Sequence, residues 1–580
     1  MGVFENLSDR WTRALNRLAA RRAAMGRAAT AFVSRPEPRS IGSYARGRQL
    51  AAGNFLFAGH LLERPDTDMW DLAPPDRAFR DALHGFGWLD DLAAAGDATA
   101  RGRAQDWLWR WIALYGRGRG PGWTPDLTGR RLIRWIHHAL FVLNGQESDG
   151  SRAFYRALTA QTTFLARRWH AAAPGLPRFE ALTGLIHAGI SLEGMNHHVA
   201  PAAAALDREC AARIDARGGL PTRNPEDLLD VFTLLTWAAM ALGESRHPVS
   251  NAHWQAIERI APTLRTLRHA DGGLARFHGG GRGLPGRLDQ ALADSGVKGR
   301  APDGLAMGFA RLGAGRASVI VDAAAPPAGR ASGGAHASTL AFELTSGRRP
   351  LIVNCGSGEA FGADWRRAGR ATPSHSTLVV AERSSARVAP ARDGREQLVS
   401  APRRVPIELR QTPDGHRFEG GHDGYVREFG LTHVRKLDLA FDGRELAGED
   451  MLLALGDADK RRFDKAMDTA RLDGIPFEIR FHLHPDVDVS LDMGGTAVSM
   501  ALMSGEIWVL RGDGRVTISV ESSVYLEKNR LKPRATKQIV LSGHAMEYAT
   551  RARWSLAKPR ESPVALRDLA QVRLDPVTDF

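Results

Sequence analysis

Only two of the 580 residues are cysteines, Cys210 and Cys355. Two thiols in regions of different character build no disulfide framework, and no Cys-x-x-Cys pair marks a zinc finger. Lysine is scarce too: eight of the 78 basic residues, none before Lys298. The net charge of +13 and the pI near 10.2 therefore rest on arginine. Such charge favours a polyanionic partner, although a GC-rich genome writes the same Arg-, Ala- and Gly-rich composition. No run of some twenty apolar residues occurs, so no transmembrane segment is expected. The first fifty residues carry ten Arg against three acids, and Arg21, Arg22 and Arg27 interrupt the stretch 19–33. That pattern lacks the apolar core of a secretory signal, which makes cytoplasmic residence the default and leaves a periplasmic one open. Gly-x-Ser-x-Gly and His-Glu-x-x-His are both missing, and the glycine-rich string 272–281 lacks the Gly-Lys-Ser/Thr ending of a phosphate loop. No nucleic-acid-binding motif accompanies the charge, so no nucleic-acid partner is expected.

What is present divides near residue 300. Before it, apolar residues recur at three- and four-residue spacing over 76–95, 98–115, 128–144, 149–172, 177–192, 195–217, 225–243 and 250–270. Breakers such as Pro74-Pro75, Pro174-Gly175 and Gly218-Gly219 separate these segments. Asp126 or Thr128 and Asn224 are candidate N-caps, the last followed by Pro225. Antiparallel helices with short links stack as hairpins that can close into a ring. After the glycines 279–281 the period falls to two, with about a dozen candidate strands between 318 and 541. Asp-Gly pairs at 393, 414, 442 and 513 read as hairpin turns. The expected organisation is a basic N-terminal helix and linker (1–45), an incomplete (α/α) toroid (46–300), an antiparallel β-sandwich (301–560) and a tail (561–580). Residues 4–30 read as a basic amphipathic helix with Phe4, Leu7, Trp11, Leu15 and Leu18 on one side. Its default role is packing on the next helix. The alternative is peripheral contact with an anionic membrane surface.

Three strings carry the most chemistry. Gly333-Gly-Ala-His336 leads into a strand ending in Phe-Glu343; Leu-Ile-Val-Asn354-Cys355-Gly356 follows; then comes Arg370-Ala-Thr-Pro-Ser-His375-Ser-Thr-Leu. Together they resemble the β-sandwich module of heparinase II/III-type polysaccharide lyases. His422-Asp-Gly-Tyr425, His433-x-Arg435 and Gly448-x-Asp450 resemble it as well. In the helical half, Glu193-Gly-Met-Asn196-His197-His198 resembles the family's active-site Asn-His.

The resemblance implies β-elimination on a uronate-containing acidic polysaccharide or oligosaccharide. The proton beside the carboxylate becomes removable once donors neutralise that carboxylate; a base takes it and an acid protonates the leaving oxygen. It assigns Asn196 to carboxylate neutralisation, with His197 as its partner in neutralising charge or acting as base or acid; the family's tyrosine comes from the helical domain, and Tyr425, in the His-Asp-Gly-Tyr run, is the candidate to replace it. Arg223, His269, His278 and Arg370 are candidate substrate-binding residues. The family's structural zinc would fall to His336 and His375, with Asn354 where a carboxylate usually stands and Cys355 beside it as a substitute ligand. Two departures stand out. Gly334 occupies the place of the family's catalytic sandwich histidine, and no tyrosine lies between Tyr155 and Tyr425. The alternative reading is a non-catalytic or divergent glycan-binding protein on the same scaffold, linked to envelope or exopolysaccharide.

Overall fold

A computed structural model of the chain describes residues 7–34, 37–299, 303–390, 396–528, 530–559 and 568. The expected tail 561–580 lies, apart from Asp568, outside the described residues, as do Phe4 and the Asp-Gly pair at 393. Helices fill the first half where the periodicity places them, including Ala98–Tyr115, Ser148–Arg168, Val199–Arg213 and Asn251–Thr266. The single helix expected over 76–95 is two, Arg77–Gly85 and Trp88–Ala95, because Phe86 takes a left-handed φ of 59° between them. Asn224 caps its helix as expected, its side chain accepting from the N–H groups of Glu226 and Asp227. The helix expected to start at Asp126 or Thr128 instead runs from Pro125, with Thr124 at the cap position, ahead of both candidate caps.

Three helices, Pro125–His137, Leu176–Ser191 and Pro225–Glu244, are buried along most of their length and form the inner layer. They run parallel. Gly129 meets Glu180 and Gly184 so tightly that a Cβ would lie 2.2 Å from the Glu180 carbonyl. Further along, the His137 ring lies 5.2 Å from His187 and 5.5 Å from Trp237. Their N-terminal ends face the second half of the molecule: Glu226 pairs with Lys528 at 2.6 Å, and a Cβ on Gly279, beside Asn224, would lie 3.2 Å from the Gly334 carbonyl. Their C-terminal ends point the other way.

The second half holds two eight-stranded antiparallel sheets and a two-stranded ribbon. Leu431–Ala440 alternates buried and part-buried residues without exception, the period-two pattern its sequence predicts. Phe342, Phe481 and Trp554 interlock between the sheets, with Phe342 stacked on Trp554 at 6.0 Å. Fully burying one such side chain contributes roughly 1.5–3 kcal/mol. Asp442-Gly443 closes a hairpin, and Gly443 is obligatory there: φ is 66° and a Cβ would sit 2.2 Å from the Ala314 carbonyl. Asp513-Gly514 corrects the hairpin expectation, since the strands it joins, Ile507–Gly512 and Thr517–Tyr525, belong to different sheets. Strands Gly415–Tyr425 and Glu445–Leu453 escape the periodicity search because glycine and, at Asp450, charge occupy inward positions; Ala549–Ala557 escapes it although Ala552, Trp554 and Leu556 face inward. A helix at Asp457–Thr469 also escapes it; only Phe463 and Met467 of that helix are buried.

Candidate functional site

A hollow of about 420 Å³ opens inside the ring of helices. Its wall combines Trp88 and Trp237 with Arg39, Arg46, Arg130, Arg134 and Arg287, the acids Asp90, Asp91, Glu180, Asp230 and Asp294, and the amides Gln49, Asn54 and Gln290. Most charges are paired. Arg130 donates to Glu180 at 2.6 Å, Arg287 meets Asp230 at 2.6 Å, and Arg134 donates to Asp90 at 3.3 Å. Burial works against ionised Asp90, yet Arg134 and hydrogen bonds from His138 and Ser40 hold its carboxyl down at about 2. Its neighbour Asp91 behaves oppositely. Burial pushes it up to about 6, against the Ser43 N–H and Arg46. Burial also raises Glu180, against the pull of Arg130. The Glu180 Oε2 has no hydrogen-bond partner among the described residues. The hollow thus offers guanidinium groups, amides and two carboxyl groups that accept protons readily, backed by two buried indoles, a surface suited to a polar ring with acidic substituents.

None of the motif residues lines it. Asn196 and His197 sit in a short 3₁₀ turn (Asn196–His198) past the C-terminal end of the inner helix Leu176–Ser191, and both are exposed. Leu176 and Glu180, at that helix's other end, line the hollow. Eleven residues separate Glu180 from Ser191, about 16 Å of helix. The segment before Asn196 pairs instead with the N-terminal stretch, Val33 N–H donating to Ser191 O at 2.8 Å and Glu193 N–H to Ala31 O at 3.2 Å. The structure therefore does not bring the Asn-His turn to the sandwich. Local likeness selected the string; helix direction carries it to the far face.

The sandwich motifs do converge, but they build the seam between the two halves. Arg223 satisfies all five of its N–H donors there, on Met307 O (3.1 Å), Gly308 O (2.8 Å), Ala324 O (3.2 Å), Ala325 O (2.9 Å) and Asp322 Oδ1 (2.5 Å). His269 bridges Ser318 Oγ at 3.2 Å and Glu343 Oε2 at 3.3 Å. His278 accepts from the His336 N–H at 3.2 Å and faces Asp322 at 3.3 Å. Arg370 donates to Ala335 O at 2.8 Å and Ser332 O at 2.9 Å. All four are buried, and their hydrogen bonds are to the protein. Tyr425 is 1% exposed and its hydroxyl donates to Leu378 O at 3.0 Å, inside the sandwich core rather than at a cleft.

The four candidate metal ligands separate into two groups. His336 Nδ1 and His375 Nε2 lie 3.0 Å apart, with His375 Nδ1 held on Ala371 O at 2.8 Å. Asn354, however, accepts from the Ser376 N–H at 3.0 Å. Cys355 Sγ turns toward His482 (3.5 Å) and Ser523 (3.9 Å), and burial raises its pKa, which keeps the thiol protonated. Among the described residues no group of three or more His, Cys, Asp or Glu is placed to hold a metal. Two imidazoles without a third donor do not fit a structural zinc, which takes four.

The lumen residues were missed because they come from segments far apart in the chain. A signal existed in Arg130, Arg134 and Glu180, charges set within otherwise apolar runs of the two tightly apposed inner helices. No helix among the described residues is long and apolar enough to cross a membrane.

Known proteins share this organisation. The family model described as "Heparinase II/III-like, C-terminal" matches residues 297–555. FtsZ-localized protein C of Caulobacter vibrioides (strain NA1000 / CB15N) is 32% identical over 544 residues, 90% of this chain and 89% of that one. A crystal structure of heparinase III shares the fold with a TM-score of 0.66 at 13% identity, covering 94% of this chain and 89% of that one. Heparan sulfate lyase HepC from Pedobacter heparinus gives 0.55 at 14% identity, covering 94% and 88%. The helical toroid followed by the two-sheet sandwich is thus a polysaccharide-lyase scaffold, and the chain belongs to the heparinase II/III family.

Proposed function

We propose that this protein binds an acidic, uronate-bearing glycan in the toroid lumen and does so without β-elimination. One observation carries the reading: the open hollow is lined by arginine, carboxyl, amide and tryptophan groups but by no histidine or tyrosine, while the residues in the family motifs are sealed into the domain seam or the sandwich core, or lie at the far end of an inner helix. Guanidinium groups and indoles recognise carboxylated sugar rings; an elimination also needs a base and an acid poised at the same ring. The relative's printed name adds a cellular context. We carry it over as part of the proposal: the protein localises with FtsZ, handling envelope glycan there.

The test is a panel of uronate-containing polysaccharides on the purified protein. Salt-sensitive retention on glycan-coupled resin, weakened at least tenfold by Arg46→Glu, is expected, with no ultraviolet-absorbing unsaturated product. Accumulation of that product would restore the lyase reading, with Glu180 or Asp91 as the base. Absence of both retention and product across the panel would remove the glycan assignment altogether.

A second reading concerns the N-terminal helix Leu7–Ala23. It packs inward through Asn16, Ala20 and Ala23, yet leaves Trp11 68% and Leu18 47% exposed, next to exposed Arg10, Arg17, Arg21 and Arg22. This outward apolar stripe with a basic border supports the peripheral contact with an anionic lipid surface.

A further inference from the structure

One sheet of the sandwich is interrupted. Strand Ala549–Ala557 pairs with Glu445–Leu453 along its whole length, from Ala549 opposite Leu453 to Ala557 opposite Glu445. On its other flank Ile507–Gly512 pairs with it only from Trp554 to Ala557, and the chain then leaves for the second sheet. The last contact on this flank belongs to Asp513, whose N–H donates to Arg553 O at 3.0 Å and whose Oδ2 accepts from the Arg553 N–H at 3.1 Å. Beyond it the flank is open. Ala454 N–H donates to Tyr548 O and Lys558 N–H to Arg444 O, so the even-numbered residues of the strand bond to Glu445–Leu453. Alternation turns the N–H and C=O groups of Ala549 and Arg551 the other way, where no strand among the described residues meets them. A concavity of about 400 Å³ lies there, walled in part by Met451, Asp513, Arg515, Arg551 and Arg553.

The wall is short of carboxylates. Arg551 and Arg553, with side chains 49% and 60% exposed, share Glu449 at 2.5 and 3.5 Å. Arg515 is exposed and its guanidinium pairs with no acid among the described residues, because both Asp513 oxygens are engaged on the backbone N–H groups of Arg515 and Arg553. Arg511, opposite Ser555, adds an exposed cation to the same face. We infer that this notch docks an extended, acidic peptide segment of a partner protein, which adds to Ala549–Arg553 as a short strand and sets carboxylates on Arg515, Arg551 and Arg553. Two features select that occupant. Donors and acceptors alternating along an unpaired flank match another peptide backbone, a series that the rings of a sugar chain do not present. The guanidinium excess selects carboxylates. Geometry adds a pattern. Side chains return to the outer face at every second residue, so acids stand at alternate positions of the peptide. The residues between them fall beside Ala552 of the sandwich core and are apolar. None of the notch residues lines the lumen, so docking is independent of the glycan.

The experiment titrates the full chain at low salt into the fluorescein-labelled peptide Ser-Glu-Val-Glu-Val-Glu-Ser and into its counterpart with lysine for glutamate, read by fluorescence polarisation. The acidic peptide should bind at least about tenfold tighter than the basic one. The double variant Arg515→Glu, Arg553→Glu, altered only at exposed positions, should reverse that order while keeping the melting temperature of the unaltered protein. A backbone test follows. N-methylation of one alternate set of peptide amides, those of glutamate or those of valine, should abolish binding while methylation of the other set is tolerated. Tetragalacturonate in excess should leave the peptide bound. Binding of neither peptide, equal binding of both, or an unchanged order in the double variant would overturn the inference. Tolerance of both N-methylated sets would reduce the notch to a patch of charge without strand addition, and displacement by tetragalacturonate would make it a general anion site; either result would overturn the peptide assignment.

Discussion

The toroid and the sandwich both bury Arg–Asp pairs, and they handle them in opposite ways. In the sandwich, Asp450 is 1% exposed and every contact is made: His433 Nε2 at 2.7 Å, Arg435 Nε at 2.8 Å and Nη2 at 3.1 Å, Trp554 Nε1 at 3.0 Å. Burial disfavours the charge, but Arg435 and His433 dominate and hold the carboxyl well below the usual range. Around the lumen, Asp91 keeps only part of such support and ends near 6. A closed network uses its charges to fix a fold. A partly open one leaves charges short of partners, and those are the groups a ligand can complete.

The same substitution should therefore act with opposite signs in the two halves. Asp450→Asn strands the buried Arg435 and turns an amide N–H₂ toward N–H donors; a loss of about 3–5 kcal/mol is expected in denaturant unfolding, the largest effect among these variants. Asp91→Asn should instead stabilise, by about 1–3 kcal/mol at pH 8. A carboxyl raised from 3.8 to about 6 on folding opposes the folded state above pH 6, and that opposition fades as pH falls through 6 toward 3.8. Melting curves of wild type and Asp91→Asn should accordingly converge near pH 4; a constant gap would mean that Asp91 does not titrate in this window. Asp450 has the reverse dependence, its contribution being present above its unfolded value near 3.8 and lost on further acidification. Smallest of all, Arg287→Ala should change stability by less than about 1 kcal/mol, since both partners of its ion pair are 29% exposed. A loss as large as that of Asp450→Asn would erase the distinction between the halves.

How much of this was legible beforehand follows from the distance over which each signal acts. Helices and strands depend on neighbours within a few residues, so periods of 3.6 and 2, together with breakers such as Gly218-Gly219 and start signals such as Asn224-Pro225, placed most of them. Where glycine and histidine fill a strand, as in Gly415–Tyr425, the local pattern fades and pairing with Leu431–Ala440 decides. The seam was partly legible too: Arg223, His269 and His278 were singled out as substrate-binding candidates, and the structure has them join the two halves, while Arg370, singled out with them, ties loops within the sandwich half. The lumen was legible only in the charges of Arg130, Arg134 and Glu180 within apolar runs, and not as a site. Its wall draws on Arg46, Asp91, Glu180 and Arg287, brought together only by ring closure. The Asn196–His197 string shows the converse error. A short match carries no information on which end of a helix it will occupy.

The Arg223 contacts have a mechanical consequence. One side chain, on a residue with φ of 51°, ties the start of an inner helix to four carbonyls and a carboxylate across the seam. A hinge there would have to break five bonds at once. Opening of one half against the other is thus resisted at this one residue, which acts as a rivet between the start of the inner helix and the sandwich.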